Sequence, residues 1–243
     1  MATITKPTTH LVKLKERHEV AYRTLSVTFE RPSDFKFTAG QFAEIGIIGD
    51  TELENKMLAF SMASAPEEPD LMFATRLRGG NFKRTLETMP IGATIKLEGP
   101  FGKFTLDEAN RPVAFIAGGI GITPVRSMLV HAAKQQLKRD LLLFYSNRHP
   151  QDAAFLQELN SLQNDNPRFH LVAAMTGMNQ ADRTWSGETG RLNFDTIAKN
   201  SRQYSQPLYY IAGSPRFVKA FRDLLLANGI AKQDMHSEDF AGY

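Results

Sequence analysis

Cysteine is absent from the 243-residue chain. That excludes disulfides and any cysteine-held iron–sulfur cluster within this sequence. No run of about 18 apolar residues occurs, so no segment reads as a membrane-spanning helix. The stretch from Met1 to Lys6 lacks the apolar core of a secretory signal, and the expected location is the cytoplasm. The six histidines are scattered without the spacing of a ligand set, so no metal site is expected. A strong charge of one sign is also missing. Residues 1–108 carry 14 Lys and Arg against 15 Asp and Glu, and residues 109–243 carry 15 against 11. There is no basic stripe interleaved with aromatics, which argues against nucleic acid as a partner. The slight basic excess of the second part suits a small anionic ligand, under heavy screening by salt.

What is present is organised around Phe115-Ile-Ala-Gly-Gly-Ile-Gly-Ile-Thr-Pro-Val-Arg-Ser-Met128. Val113 to Ile116 is a short apolar run of the kind buried on both faces of a sheet. Gly118, Gly119 and Gly121 then remove side chains where the chain must turn. Thr123 reads as an N-cap and Pro124 as the first helical residue, where no N–H is needed. Val125, Met128, Leu129 and Ala132 recur at helical spacing. Bare backbone N–H groups at the positive end of a helix form an anion site, and a pyrophosphate is the guest that fits the pattern.

Before this stretch the chain reads as all-β. Thr24–Glu30 and Ala39–Ile45 alternate with period two, and Leu71–Arg76 and Thr94–Glu98 are further short strands. Prolines and glycines punctuate them, and close spacing of short strands predicts a small antiparallel barrel. A single helix, Phe82–Thr88, follows Gly79-Gly80. After Asn110-Arg111-Pro112 strands and helices alternate. Strands are expected at Val113–Ile116, Leu141–Tyr145, Phe169–Met175 and Leu208–Ala212. Helices are expected at Val125–Leu137, Asp152–Leu162, Phe194–Lys199 and Phe217–Leu226, with an edge strand at Met235–Phe240. That alternation predicts a doubly wound parallel sheet. Two domains are expected, residues 1–108 and residues 109–243.

Five motifs in this order resemble the ferredoxin–NADP reductase family over essentially the whole chain. They are Leu58-Ala-Phe-Ser61, Gly80-Asn-Phe-Lys83, Gly99-Pro-Phe-Gly-Lys-Phe104, Ala117-Gly-Gly-Ile-Gly-Ile-Thr-Pro124 and Ala212-Gly-Ser-Pro215. The resemblance implies an antiparallel flavin-binding β-barrel followed by a parallel nucleotide-binding domain. It further implies a bound flavin, FAD with FMN as the alternative, and NAD(P)H as electron donor. Phe60 is expected to offer a flat apolar face to the ring and Ser61 a hydroxyl to its N5 edge. The turn at Gly80, with Phe82 and Lys83 in the helix behind it, is expected to seat the flavin pyrophosphate. Gly118, Gly119, Gly121, Thr123 and Pro124 are expected at the nucleotide pyrophosphate, and Gly213 and Pro215 beside the nicotinamide. Arg148 reads either as a contact for a 2′-phosphate or as a cover for adenine, and NADH and NADPH both remain open. Near the end of the chain Glu238 is expected at the N5 edge and Phe240 over the ring, with Tyr243 as the alternative cover.

Three positions depart from the family pattern: Lys83 stands where relatives often have Ser or Thr, Ala212 where many have a cysteine against the nicotinamide, and Leu58 is the serious departure. Leu58 stands where relatives have an arginine that clamps the flavin pyrophosphate, and leucine has no charge to offer. Lys56, Arg76, Arg78 and Lys83 are the cations available to replace it. The expected activity is hydride transfer from NAD(P)H to the flavin. Electrons then pass to an external acceptor: a ferredoxin, a flavodoxin, an oxygenase component or a small quinone. The alternative is a binding or regulatory module, or a subunit of an electron-transfer complex, with weakened flavin turnover.

Overall fold

The computed structural model describes residues 7–179 and 185–240. Its first half is a six-stranded antiparallel sheet. The strands are β1 (Thr8–Ala21), β2 (Thr24–Phe29), β3 (Phe42–Ile47), β4 (Met57–Ser61), β5 (Leu71–Arg76) and β6 (Thr94–Phe101), in the order β4-β3-β6-β1-β2-β5. Helix α1 (Asn81–Thr88) lies between β5 and β6 and buries Phe82 and Leu86. The outer strands meet at an isolated bridge between Met62 and Phe73 and at the Ala63 and Ser64 N–H groups, which donate to Met72 O at 2.7 and 3.3 Å. The expected barrel is therefore a strongly curled sheet rather than a closed cylinder. Phe29, Phe35, Ile45, Phe73 and Leu97 fill its concave side.

Strand β1 escapes the period-two reading because charged residues dominate it and only Val12 and Leu14 are buried. It still serves two neighbours. Thr8–Lys13 pair with β6, and from Leu14 onward the strand pairs with β2. A long strand that changes partner carries the curl of the whole sheet.

The second half is a six-stranded sheet in which every pairing is parallel. It contains β7 (Val113–Gly118), β8 (Leu141–Asn147), β9 (Phe169–Met175), β10 (Glu188–Thr189), β11 (Leu208–Gly213) and β12 (Met235–Asp239), in the order β10-β9-β8-β7-β11-β12. Helices α2 (Ile122–Lys134), α3 (Leu156–Asp165), α4 (Phe194–Ser201) and α5 (Pro215–Ala227) connect them. Strand order reverses at β7, which has β8 on one side and β11 on the other. In such sheets the ligand crevice opens at the carboxyl ends of the strands beside that reversal. The fold is thus an antiparallel sheet followed by a doubly wound parallel one.

Helix α3 starts later than the apolar spacing suggests. Pro150–Asp152 forms a 3-10 turn, and Phe155 takes a left-handed backbone with φ 61° before the helix begins. The two halves share packing. Ala39, Ala63, Ala74 and Phe104 join the core cluster built on Phe115, Met128 and Tyr145. Among the described residues no helix is long and apolar enough to cross a membrane.

Candidate functional site

The glycine segment leaves β7 as a 3-10 turn, Gly119–Gly121, and runs straight into α2 at Ile122. Gly121, not Thr123, is the N-cap, and no side chain caps the helix. The Thr123 hydroxyl instead donates back to Ile120 O at 3.1 Å, inside the protein. Pro124 remains in the first turn, where its missing N–H leaves no gap. Gly119 has φ +56°, and a Cβ there would stand 3.8 Å from Arg76 Nη2 in otherwise open space. Gly121 differs: a Cβ would lie 2.3 Å from Ala212 O. One glycine serves conformation, the other lets the turn press against the end of β11.

The turn forms one wall of a cleft of about 840 Å³ at the carboxyl ends of β7, β8, β9 and β11. Arg23, Arg76, Arg78, Arg148 and Arg216 line it, with Asp152 as the one carboxylate. Asp152 is engaged, since its Oδ2 accepts the His149 N–H at 3.0 Å. Arg76 reaches across from β5 and donates to Asp152 O at 2.6 Å and Tyr22 O at 3.2 Å. A concave wall of guanidinium groups over a helix start is a site for a polyanion. Arg148 sits exposed on its rim.

Two residues not singled out in the sequence complete this cleft. Asn147, at the end of β8, is 6 % exposed, yet neither its Oδ1 nor its Nδ2 has a partner at hydrogen-bond distance, its one polar neighbour being the Tyr145 hydroxyl in a looser contact. A buried amide left unpaired is unfavourable unless something arrives to pair it. Phe217 covers the cleft floor. Its ring would be struck at 2.8 Å by a Cβ on either Gly118 or Gly213, so both glycines let one ring lie flat on the turn. Beside it Ser214 caps α5 by accepting the Phe217 N–H at 3.3 Å, and Pro215 is the first helical residue.

The second cluster joins the two halves. Ser61, at the end of β4, is 4 % exposed, and its hydroxyl donates to Glu238 Oε2 at 3.4 Å. Glu238 is on β12, opposite Ala212. Burial pushes the Glu238 carboxyl up to about 7 from the ordinary 4.5; the Ser61 hydroxyl opposes the shift and Asp239 adds to it. The Phe240 N–H donates to Gly213 O at 3.0 Å, and its ring is partly buried against the parallel-half core. The expected pair Ser61 and Glu238 thus meet. Phe240, the last described residue, follows β12 with its ring partly buried against the cluster that the two halves share. Tyr243 lies outside the described residues.

Phe60 does not offer an open face. It pairs with Ala43, which is fully buried, so its side chain points to the concave side of the sheet. There it is 6 % exposed and stacks on Phe82, with ring centroids 6.1 Å apart. Leu58 is partly buried against the same cluster. At the start of α1, Gly79 and Gly80 have φ of 92° and 88°, and a Cβ on either would meet nothing within 4 Å. Lys83 follows in the first turn of α1, partly buried; burial lowers its pKa, and Arg78 lowers it further. Open glycine backbone with two cations suits a phosphate, so the residues present fit a flavin's phosphate end. The orphaned Asn147 amide and the glycine wall likewise fit a dinucleotide in the larger cleft.

The comparisons with known proteins agree with this geometry. Residues 115–223 match the model of the oxidoreductase NAD-binding domain. Reductase component 2 of terephthalate 1,2-dioxygenase from Comamonas is 29 % identical over 210 residues, 85 % of this chain and 60 % of that protein. The reductase component of propane 2-monooxygenase from Rhodococcus jostii is 30 % identical over 217 residues, 86 % of this chain and 57 % of that protein. The chain therefore spans about 60 % of the length of these curated relatives. The flavohaem-like FAD/NAD-binding domain of a Vibrio cholerae nitric oxide dioxygenase superposes with a TM-score of 0.82 at 20 % identity, covering 95 % of this chain and 98 % of that one. A Neisseria gonorrhoeae ferredoxin–NADP+ reductase with bound FAD and NADP gives 0.80 at 22 % identity, covering 95 % and 98 %. These structural likenesses speak for the fold.

Proposed function

We propose that the chain, which matches the oxidoreductase NAD-binding domain over residues 115–223 and resembles oxygenase reductase components over most of its length, is an NAD(P)H-dependent flavoprotein reductase of the ferredoxin reductase family. In this reading residues 1–108 hold the flavin, FAD with FMN as the alternative, and residues 109–243 hold the nucleotide. The flavin, when bound, accepts a hydride from nicotinamide C4 and passes its electrons onward. The chain's own residues bind, orient and exclude water. Gly118, Gly119 and the start of α2 receive the nucleotide pyrophosphate on backbone N–H groups. Arg76 and Arg78 flank it, and the Asn147 amide finds its partners on the nucleotide. Ser61 and Glu238 form a hydroxyl–carboxyl pair where the two halves meet, able to hold a proton near neutral pH.

We infer that the electrons leave residues 1–243 for an acceptor beyond them, since these residues hold no cysteine for an iron–sulfur cluster. The names of several curated relatives, reductase components of oxygenases, favour an oxygenase component as acceptor, and those of two others, subunits of NADH-quinone reductases, make a quinone the second candidate. A cytoplasmic location accompanies this reading. The observation that carries the proposal is the arginine-lined cleft with an unpaired amide inside it, placed against the Gly119 turn. Leu58 and the inward Phe60 favour a second reading, a nucleotide-binding module with weak flavin affinity.

One experiment separates the two. The purified chain is incubated with FAD or FMN, desalted, and titrated with NADH or NADPH without oxygen. A yellow protein that bleaches supports the reductase, and the more effective nucleotide identifies the donor. A protein that retains neither flavin yet binds nucleotide supports the module. A protein that binds neither overturns both.

A further inference from the structure

Arg126 lies in α2, three residues after Thr123, and is 4 % exposed. Its guanidinium is held from both halves of the molecule. From the antiparallel half, Ala63 O accepts Nη1 at 2.7 Å, and the Glu68 carboxylate accepts Nη1 at 2.9 Å and Nη2 at 3.1 Å. From the parallel half, the Glu158 carboxylate of α3 accepts Nε at 2.8 Å and Nη2 at 2.5 Å. The adjacent Ser127 hydroxyl donates to Ser64 O at 2.6 Å. Two bidentate forks and a carbonyl use every donor direction that the group has. Glu68 in turn is fixed by accepting the Ala65 N–H at 2.6 Å.

The place of this knot matters more than its strength. A buried ion pair is weak evidence for stability, because desolvation of the charges offsets their attraction. Its forked geometry does fix orientation. On one side of the knot, Ala63 and Ser64 follow Ser61 with only Met62 between them. On the other side, Arg126 and Ser127 sit one turn into the helix that leaves the Gly119–Gly121 segment. The knot thus ties the segment after the flavin-side hydroxyl to the helix that follows the phosphate turn. Hydride transfer is sensitive to reactant distance and angle at the ångström scale.

We propose that Arg126, bridged to Glu68, is a positioning residue that sets the distance between the two cofactor sites. This rests on the reductase reading given above. Glu158 holds the same guanidinium within the parallel half and so serves as an internal control. Loss of the Glu68 charge removes the one charged fork that Arg126 makes to the antiparallel half and leaves the Ala63 and Ser64 carbonyl contacts, whereas loss of the Glu158 charge leaves every contact between the halves.

The test uses the flavin-loaded full chain and the variants Glu68→Gln, Glu158→Gln and Arg126→Lys. Three quantities are measured: the limiting rate of anaerobic flavin bleaching at saturating nucleotide, the nucleotide Kd, and hydrogen exchange of residues 62–68 in the flavin-free protein. Glu68→Gln is expected to slow bleaching at least tenfold with nucleotide Kd within twofold of the parent, and to speed exchange in 62–68. Glu158→Gln is expected to change the limiting rate less than threefold. Arg126→Lys keeps the charge but loses the forks, and should resemble Glu68→Gln. Equal rates for Glu68→Gln and the parent overturn the proposal, as do equal slowing by both glutamine variants or a change confined to Kd. If the parent protein binds flavin and nucleotide and bleaches, such results leave the reductase reading intact. If the parent binds neither, that reading fails and this inference with it.

Discussion

The Ser61 hydroxyl donates to Glu238 Oε2 across 3.4 Å, although 177 positions separate the two residues in sequence. Strand β4 of the antiparallel sheet and the edge strand β12 of the parallel sheet meet at this contact. The Glu238 carboxyl is raised to about 7 from 4.5, with burial as the main cause. The folded protein therefore binds a proton there more tightly than the unfolded chain does. The stability from this group is fully present below about pH 4.5 and is lost as pH rises through about 7. Glu238→Gln stays neutral throughout, so its stability relative to the parent should climb between pH 5 and pH 8. The ceiling is about 3 kcal/mol at about 1.4 kcal/mol per pKa unit, and partial exposure brings the expectation to about 1–2 kcal/mol. Urea midpoints at pH 5, 6.5 and 8 measure it; parallel pH profiles for parent and variant would contradict the assignment.

The two outer glycines of the phosphate turn should respond in opposite order to what backbone angles alone suggest. Gly119 has the left-handed φ, yet a Cβ there meets only Arg76 at 3.8 Å. Gly119→Ala should lower stability by about 1 kcal/mol through strain, and it should also narrow the cleft. Gly121 has an ordinary φ of −57°, but a Cβ would stand 2.3 Å from Ala212 O, a backbone atom with nowhere to go. Gly121→Ala should be the more damaging, by about 2 kcal/mol or more. Gly121→Val should abolish nucleotide binding while flavin is retained. Denaturation curves and nucleotide titrations of the three variants check this, and a larger loss from Gly119→Ala would refute it.

Asn147 should reveal itself by effects of opposite sign. Its buried amide has no partner at hydrogen-bond distance and interacts only loosely with the Tyr145 hydroxyl, so replacement by an apolar group of similar shape removes an unfavourable feature. Asn147→Leu is expected to raise the stability of the nucleotide-free protein by about 1 kcal/mol and to weaken nucleotide binding by about tenfold. Thermal melts with and without nucleotide read both effects. A variant that binds nucleotide like the parent would show that the amide faces no part of the ligand.

The elements legible in the sequence were those written in local chemistry. Phe169–Met175 and Leu71–Arg76 have the observed bounds, because an apolar or alternating run between turn residues is a complete local signal. The glycine turn was legible for the same reason, although the N-cap was not. Thr123 has the residue type of a cap, but the 3-10 turn places it inside the helix, and its hydroxyl finds Ile120 O. Strand β1 was hidden by its charges. Arg126 was invisible because its partners Glu68 and Ala63 lie 58 and 63 residues away. Asn147 reads as the polar end of a strand until burial shows it to be unpaired. The meeting of Ser61 and Glu238 was expected from the family resemblance, not from local pattern. The open face expected of Phe60 failed because its register with Ala43 turns it inward.

Leu58 offers the last test, since it stands where the resemblance calls for a phosphate-clamping arginine. The side chain is partly buried against the core of the antiparallel sheet, one residue from the exposed Ala59. Its pairing with the buried Ile45 turns it to the concave side, where it keeps part of its surface open, so a longer side chain can run its methylenes along the apolar cluster with the charged end in water. If Gly79, Gly80 and Lys83 form the phosphate end of the flavin site, Leu58→Arg adds a second, forked cation to it. FAD and FMN should then bind about tenfold more tightly, by roughly 1.4 kcal/mol, whereas riboflavin, which has no phosphate, should bind as to the parent. The gain should shrink in high salt, as a charge contact partly open to solvent does. Quenching of flavin fluorescence for all three ligands, at low and high salt, supplies the measurement. Equal gains for riboflavin and FAD would show that the substitution acts on the ring and not on phosphate. No gain for any of them would place the phosphate away from Leu58, and leave Arg78 and Lys83 as the cations to mutate next.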